Sequence, residues 1–156
     1  MKIGIIGHGS DKFTEESKYQ AFDILEKILS EPDAILVSGH SPVGGIDIWS
    51  EEVAISLGVH MEIKAPTDKS WDGSYGYKAR NLDIAKSSDK VYVILVDTYP
   101  PNYPENKKFK LCYHCKTSDH VKSGGCWTGL QAKKLGKPTE WIIIKNGGSD
   151  AIPNND

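Results

Sequence analysis

Residues 2–6 (KIGII) and 34–38 (AILVS) are short, unbroken apolar runs, each passing directly into glycine. A strand with one face in water alternates apolar and polar side chains, whereas an unbroken run belongs to a strand covered on both faces, the environment of a parallel sheet. Helical stripes separate such runs along the chain. Tyr19, Phe22, Leu25, Ile28 and Leu29 recur at helical spacing over residues 14–30, behind Thr14 as N-cap and with Glu15 and Glu16 in the first turn. Ile46, Trp49, Val53 and Leu57 predict a second helix ended by Gly58, before a short strand over 59–63. Residues 65–73 read as a turn-rich loop. Ala79, Leu82 and Ala85 predict a third helix over 74–87, and VYVILV at 91–96 is a β-branched central strand. A fourth helix over 125–135 stops at Gly136 and Pro138, ahead of a last strand over 141–144.

This alternation predicts an α/β fold: a Rossmann-like, doubly wound parallel sheet of about five strands between two helical layers, joined by right-handed crossovers. A length of 156 residues suits one hydrophobic core. The expectation is one ligand-binding domain over 1–146, a Cys/His-containing insertion over 97–122 after the fourth strand, and a flexible tail over 147–156. The polar sequence NGGSDAIPNND, which begins at residue 146, carries too little apolar surface to order itself.

The 19 basic and 21 acidic side chains give a net charge of −2, with no run of five or six like charges. That disfavours a nucleic-acid or membrane surface as the partner. The apolar start MKIGII is cut short by Gly7, so neither a secretory nor a membrane-spanning segment is expected, and the chain reads as cytoplasmic.

In parallel sheets of this kind, ligands bind beyond the carboxyl ends of the strands. Three loops rich in small residues fall there: Gly7-His8-Gly9-Ser10, Ser38-Gly39-His40-Ser41-Pro42-Val43-Gly44-Gly45, and Ser123-Gly124-Gly125. Glycine admits close approach of an anion to the backbone, and a helix N-terminus supplies fixed positive potential. Tight turns in α/β proteins need glycine too, so the weight lies in the three loops together. None has Walker A or GxGxxG spacing. Asp47 and Glu51 share a helix face, suited to ribose hydroxyls or acid/base chemistry, or simply to the helix dipole on a solvated face. Arg80, beside Asn81, is the only arginine and a candidate for bidentate anion contact, with a surface ion pair as the alternative. His8 and His40 either contact the ligand or cap turns.

All three cysteines lie close together, as Cys112, Cys115 and Cys126, with His120 between the last two. The spacing C-x2-C-x4-H-x5-C resembles a zinc knuckle with one extra residue, and His114 is an alternative ligand. A metal would order an insertion poor in apolar residues. Reduced thiols without metal are the plain alternative. A narrower one makes Cys126 a nucleophile, its pKa lowered at a helix start, with His120 or His114 as base.

The order SGHSPVGGIDIWSEE, YKARN, SGGCWTGLQAKKLGKP resembles the SLOG superfamily, in particular its short YspA-like members, over roughly residues 2–144. That superfamily also includes the LOG cytokinin-activating phosphoribohydrolases and the DNA-processing protein DprA. The resemblance implies a Rossmann-like fold that binds nucleotides or nucleotide-derived molecules, often as a homodimer. The LOG motif PGGxGTxxE lies over residues 123–131, keeping Gly124, Gly125 and Thr128. Arg80 matches that family's arginine and Gly44 a glycine of its first phosphate loop. The family's catalytic glutamate falls on Gln131, which cannot take up or deliver a proton as a carboxylate does, so LOG-type hydrolysis is not expected.

Three functional readings follow. The first is a sensor or carrier of a nucleotide-like ligand with structural zinc, using Gly39, Gly44, Gly45, Gly124 and Gly125 for phosphate, Asp47 for ribose and Arg80 for charge. The second is a hydrolase or transferase acting on a nucleoside phosphate or ADP-ribose-like substrate, with Asp47 or Glu51 as its carboxylate. The third is a zinc-dependent interaction module, with Tyr113 and Lys116 beside the metal.

Overall fold

The structure, a computed structural model, describes residues 1–68 and 70–147. Its single five-stranded sheet is parallel throughout. Strands β1 (Lys2–Gly7), β2 (Ile35–Ser38), β3 (His60–Ile63), β4 (Lys90–Val96) and β5 (Thr139–Ile144) stand in the order β3-β2-β1-β4-β5. Helices α1 (Glu15–Leu29) and α2 (Ile46–Leu57) pack on one face. Helices α3 (Tyr77–Ser87) and α4 (Gly124–Lys134) pack on the other.

The unbroken apolar strands divide their side chains between two cores. Ile3, Ile5, Leu36 and Ile94 meet Leu25, Leu29, Trp49 and Val53 on the α1–α2 side. Ile6, Val37, Val91, Val93 and Leu95 meet Ile84, Ala85 and Ala132 on the other, and Cys112 and Cys126 extend that second core. Trp49 joins α1 to α2, with Phe13 edge-on at 4.8 Å and Phe22 at 5.6 Å. Each such side chain stabilises the fold by roughly 1.5–3 kcal/mol through removal from water.

Thr14 caps α1 as expected, with Ser17 completing a capping box. Other local expectations need correction. The buried stripe of α1 runs through Ser17, Ala21, Leu25 and Ile28, leaving Tyr19 63% exposed; small residues let the helix lie close to its neighbours. Helix α3 starts at Tyr77 rather than 74, because the residues before it are tied into a loop by the Thr67 and Asp68 amides on the Tyr75 carbonyl and by the Gly76 amide on that of Gly73. Its buried face carries Arg80 and Asn81 beside Ile84 and Ala85, whereas Ala79 is exposed.

Asn146, first residue of the polar C-terminal sequence, is buried. Its Oδ1 accepts from Ser17 Oγ and the Thr14 amide, its Nδ2 donates to the carbonyls of Lys12 (2.6 Å) and Thr98 (2.7 Å), and its own amide donates to Asp97 Oδ1. Five hydrogen bonds hold a residue that composition alone leaves free. The expected tail, apart from Gly147, lies outside the described residues.

The chain lays down β1, β2 and β3 in one direction, then crosses back to add β4 and β5 on the other side of β1. The loops after β1 and β4 therefore diverge, opening a crevice at the carboxyl ends of those two strands.

Candidate functional site

A cavity of about 330 Å³ occupies that crevice. Its floor is Gly7, His8 and Gly9 at the end of β1, against Ser123, Gly124 and Gly125 at the start of α4. Ser123 caps α4: its Oγ accepts the Gly125 amide at 2.9 Å and its carbonyl the Cys126 amide at 3.1 Å. The Gly124 amide has no acceptor among the described residues, so the helix presents an open donor at its positive end. Lys12 and Lys122 also line the cavity.

One side is aromatic. Trp71, Tyr77, Tyr113 and His114 line it; Trp71 lies 5.9 Å from His114 and 5.5 Å from Trp127, and Tyr113 lies 4.5 Å from His114 between centroids. Burial and the nearby Lys122 lower the His114 pKa, which favours the neutral imidazole.

The opposite corner is a buried charged cluster. Arg80 donates through Nη1 to the Gly39 carbonyl and through Nε to Asn81 Oδ1 at 2.6 Å, and its Nη1 stands 3.8 Å from Asp47 Oδ2. Asp47 Oδ2 also accepts the Ser41 amide, while Oδ1, fully buried, has no partner. Burial pushes the Asp47 carboxyl up to about 6 despite Arg80 and the Ser41 amide, which pull it down. Glu51 hydrogen-bonds Ser38 Oγ at 2.7 Å and His40 Nδ1 at 2.8 Å. Neither carboxylate sits on a solvated face, so dipole placement alone does not explain them.

His8 links the two sides. Its Nδ1 accepts the Val96 amide at 3.1 Å, which places the proton on Nε2, facing the carbonyls of Val121 (3.0 Å) and Lys122 (3.2 Å). Burial, with Lys12 nearby, pushes its pKa down to about 3, and the ring is neutral. His8 thus lines the cavity with both ring nitrogens engaged.

Of the residues the sequence singled out, Gly7, His8, Asp47, Arg80, Asn81, Gly124 and Gly125 meet at this cavity. Ser10, Gly39, His40, Gly44, Gly45, Glu51 and Thr128 do not line it. Two of these glycines serve packing. A Cβ on Gly39 would lie 2.7 Å from Arg80 Cζ and 2.9 Å from Asp47 Oδ2. Gly45 has φ +74°, and a Cβ there would press on the backbone of Gly9 and Ser10. Ser10 Oγ donates to the Val43 carbonyl, and Thr128 Oγ1 to that of Gly124. Sequence reasoning missed Lys12, Trp71, Tyr77 and Lys122. Only for Trp71 was there a signal, a large aromatic in a polar loop at the strand ends.

Behind the aromatic side, the insertion folds Cys112, Cys115, His120 and Cys126 together, with donor atoms within 4.8 Å of one another. Cys115 Sγ lies 3.6 Å from His120 Nε2, and His120 Nδ1 lies 2.8 Å from Asp119 Oδ1. His120 is the histidine of the cluster; His114 faces the cavity. The reading of Cys126 as a nucleophile is overturned. The residue is fully buried, and burial together with the neighbouring Cys112 and Cys115 pushes its thiol well up, outweighing its place at a helix start.

No helix among the described residues is long and apolar enough to cross a membrane. Neither a family model nor a curated protein matches the sequence. Among solved structures, the fold is similar to a molybdenum cofactor carrier protein from Chlamydomonas reinhardtii (17% identity, TM-score 0.58, covering 90% of this chain and 74% of that one). It is also similar to a molybdenum cofactor binding protein from the phototrophic bacterium Rippkaea orientalis (18% identity, TM-score 0.59, covering 91% and 76%). At these identities the likeness establishes a common Rossmann-like fold.

Proposed function

We propose that this chain binds a small, phosphate-bearing cofactor with a flat heteroaromatic ring in the crevice between β1 and β4, and carries it without transforming it. The observation that carries this reading is the meeting, in one cavity, of an open helix N-terminus flanked by lysines, an aromatic side, and a buried carboxylate oxygen lacking a donor. The phosphate lies at Gly124 with Lys12 and Lys122, the ring against Trp71, Tyr113 and His114, and an N–H or O–H of the ligand reaches Asp47. Nucleotides have this chemistry. So does the molybdenum cofactor, a pterin bearing a phosphate, which the two structural neighbours are described as carrying or binding. Gln131 in place of a catalytic carboxylate supports carriage over hydrolysis.

With this reading go SLOG affiliation, a single domain over residues 1–146, a cytoplasmic homodimer, and zinc as the metal of the Cys/His cluster. Native mass spectrometry with elemental analysis tests it. A copurifying mass of nucleotide or pterin size, lost in Arg80→Ala, is the expected result; a clean apo spectrum that takes up neither GMP nor a pterin phosphate would refute it. One observation favours a second reading: a buried carboxyl with a pKa near 6 suits general acid/base work on a nucleoside phosphate. Turnover of a nucleotide panel, abolished by Asp47→Asn, would establish that reading instead.

A further inference from the structure

We infer that a zinc ion held by Cys112, Cys115, His120 and Cys126 assembles one side of the crevice, so that ligand capture is metal-dependent. The dependence of capture rests on the proposed ligand site; the metal's ordering of the insertion does not.

The donor set comes first. Three thiolates and an imidazole select a borderline-soft cation of tetrahedral preference, which is zinc rather than magnesium or calcium. Tetrahedral bonds of about 2.0–2.3 Å bring donors to roughly 3.8 Å apart. The donor atoms all lie within 4.8 Å of one another, with Cys115 Sγ and His120 Nε2 already at 3.6 Å, so a contraction of no more than about an ångström is needed. Asp119 Oδ1 against His120 Nδ1 sets the tautomer that leaves Nε2 for the metal, the carboxylate–histidine arrangement found behind zinc ligands. Lys116, directly after Cys115, has φ +63°, a left-handed conformation unfavourable for a non-glycine residue and accepted where the fold demands it.

Position gives the metal its role. Tyr113 and His114 lie between the first two ligands, Lys122 two residues beyond His120, and Ser123 to Gly125 immediately before Cys126; all of them line the crevice. The Val121 and Lys122 carbonyls that receive His8 belong to the same stretch. Regular secondary structure does little to hold the stretch, although Val121 is buried with its amide on the Val96 carbonyl. Between β4 and α4 the regular structure among the described residues is one 3-10 turn, Glu105–Lys107, and one bridge, Cys112 to Thr117. Phe109, Leu111 and Tyr113 stand exposed rather than packed. With four donors on one ion, Tyr113, His114, Lys122 and the start of α4 become one rigid body; without it, Tyr113 and His114 are held by the Cys112–Thr117 bridge, and Lys122 by the hydrogen bonds of its neighbour Val121 to Val96 and of its own carbonyl to His8.

The test uses the full chain under reducing, anaerobic conditions, with amide exchange as one readout and GMP as the ligand probe. One zinc per chain is expected. Chelation should raise exchange over residues 108–123 at least tenfold while β4 stays protected, weaken GMP binding at least tenfold, and be reversed by zinc. Because Cys112 is buried and its replacement risks misfolding, Asp119→Ala is the second variant. It leaves the ligands intact and should weaken zinc affinity by about 10–100-fold. Failure to take up zinc overturns the inference, as does unchanged exchange in the zinc-free protein. If GMP binds neither form, the ligand proposal loses its support, and the exchange data alone decide whether zinc orders the insertion. If GMP binds equally with and without zinc, capture is not metal-dependent.

Discussion

The two sides of the crevice are held by different physics. On the β2–α2 side, the loop carrying Ser41 and the first turn of α2 carrying Asp47 rest on a large apolar core, in which Leu25, Leu36, Ile46 and Trp49 are shielded from water and glycines seat one loop on another. On the side of the insertion, Tyr113, His114 and Lys122 project from a segment whose own apolar residues are mostly exposed and whose inward contribution is a knot of sulfur and nitrogen donors. Apolar burial is non-directional and tolerates substitution, whereas a donor knot that holds a metal is strong only when all its members are present. One side should therefore degrade gradually, and the other fail as a unit.

His8 is where the two sides meet, and acid is the largest lever on it. Its folded pKa of about 3 lies below the unfolded value of 6.5, so stability is lost as pH falls through that window, in total by about 5 kcal/mol. Asp47 runs in the opposite sense. Its folded pKa of about 6 lies above the unfolded 3.8, so its penalty of about 3 kcal/mol is complete above pH 6 and relieved as pH falls towards 4. These two groups offset each other between pH 6 and 4, and the His8 loss stands alone below. Urea unfolding across pH should show that plateau in the wild type. In Asp47→Asn, stability should instead fall from pH 6.5 by about 1.4 kcal/mol per unit; a retained plateau would mean that Asp47 is not the compensating group.

Leu25→Ala, on the apolar side, should cost about 2–5 kcal/mol in global stability while leaving zinc content unchanged. Loss of zinc in this variant would show that the two sides are not separately built. Gly39→Ala drives a methyl into the Arg80–Asp47 pair and should cost about 1–3 kcal/mol, read as a lowered melting temperature. If that variant also abolishes the pH plateau, the pair is confirmed as one electrostatic unit. The smallest effect is expected for Lys122→Ala, which should weaken GMP by about tenfold, near 1.4 kcal/mol, with little change in melting. A large loss of stability there would give Lys122 a structural part over the rings of Phe109 and Tyr113.

Much of this was legible in the chain. Unbroken β-branched runs such as VYVILV predicted strands covered on both faces, and β4 is buried along nearly all its length. The cysteine and histidine spacing pointed to the cluster that forms. The aromatic side was not legible: Trp71 and Tyr77 reach the crevice from a loop and a helix start far in sequence from Tyr113 and His114. Nor was the burial of Arg80 and Asn81, since α3 turns a polar pair inward where a periodicity rule expects alanine. The glycines misled in the other direction, because the same residue type serves close packing of loops and approach of an anion, and only the neighbours of the missing Cβ tell the two apart.

By itself, the sequence determined the layered parallel architecture, the strand ends at which a ligand can sit, and the donor set for a metal. These follow from local periodicity and from residue chemistry, which act over a few positions. The tertiary structure grouped His120, the first choice of the spacing, with the cysteines and turned the alternative, His114, to the cavity; it alone decided that Asp47 keeps an unpaired oxygen beside Arg80 and that the Cys/His cluster lies behind the crevice. The last two outcomes depend on groups that only the folded sheet brings together, at separations in the chain that no local pattern records.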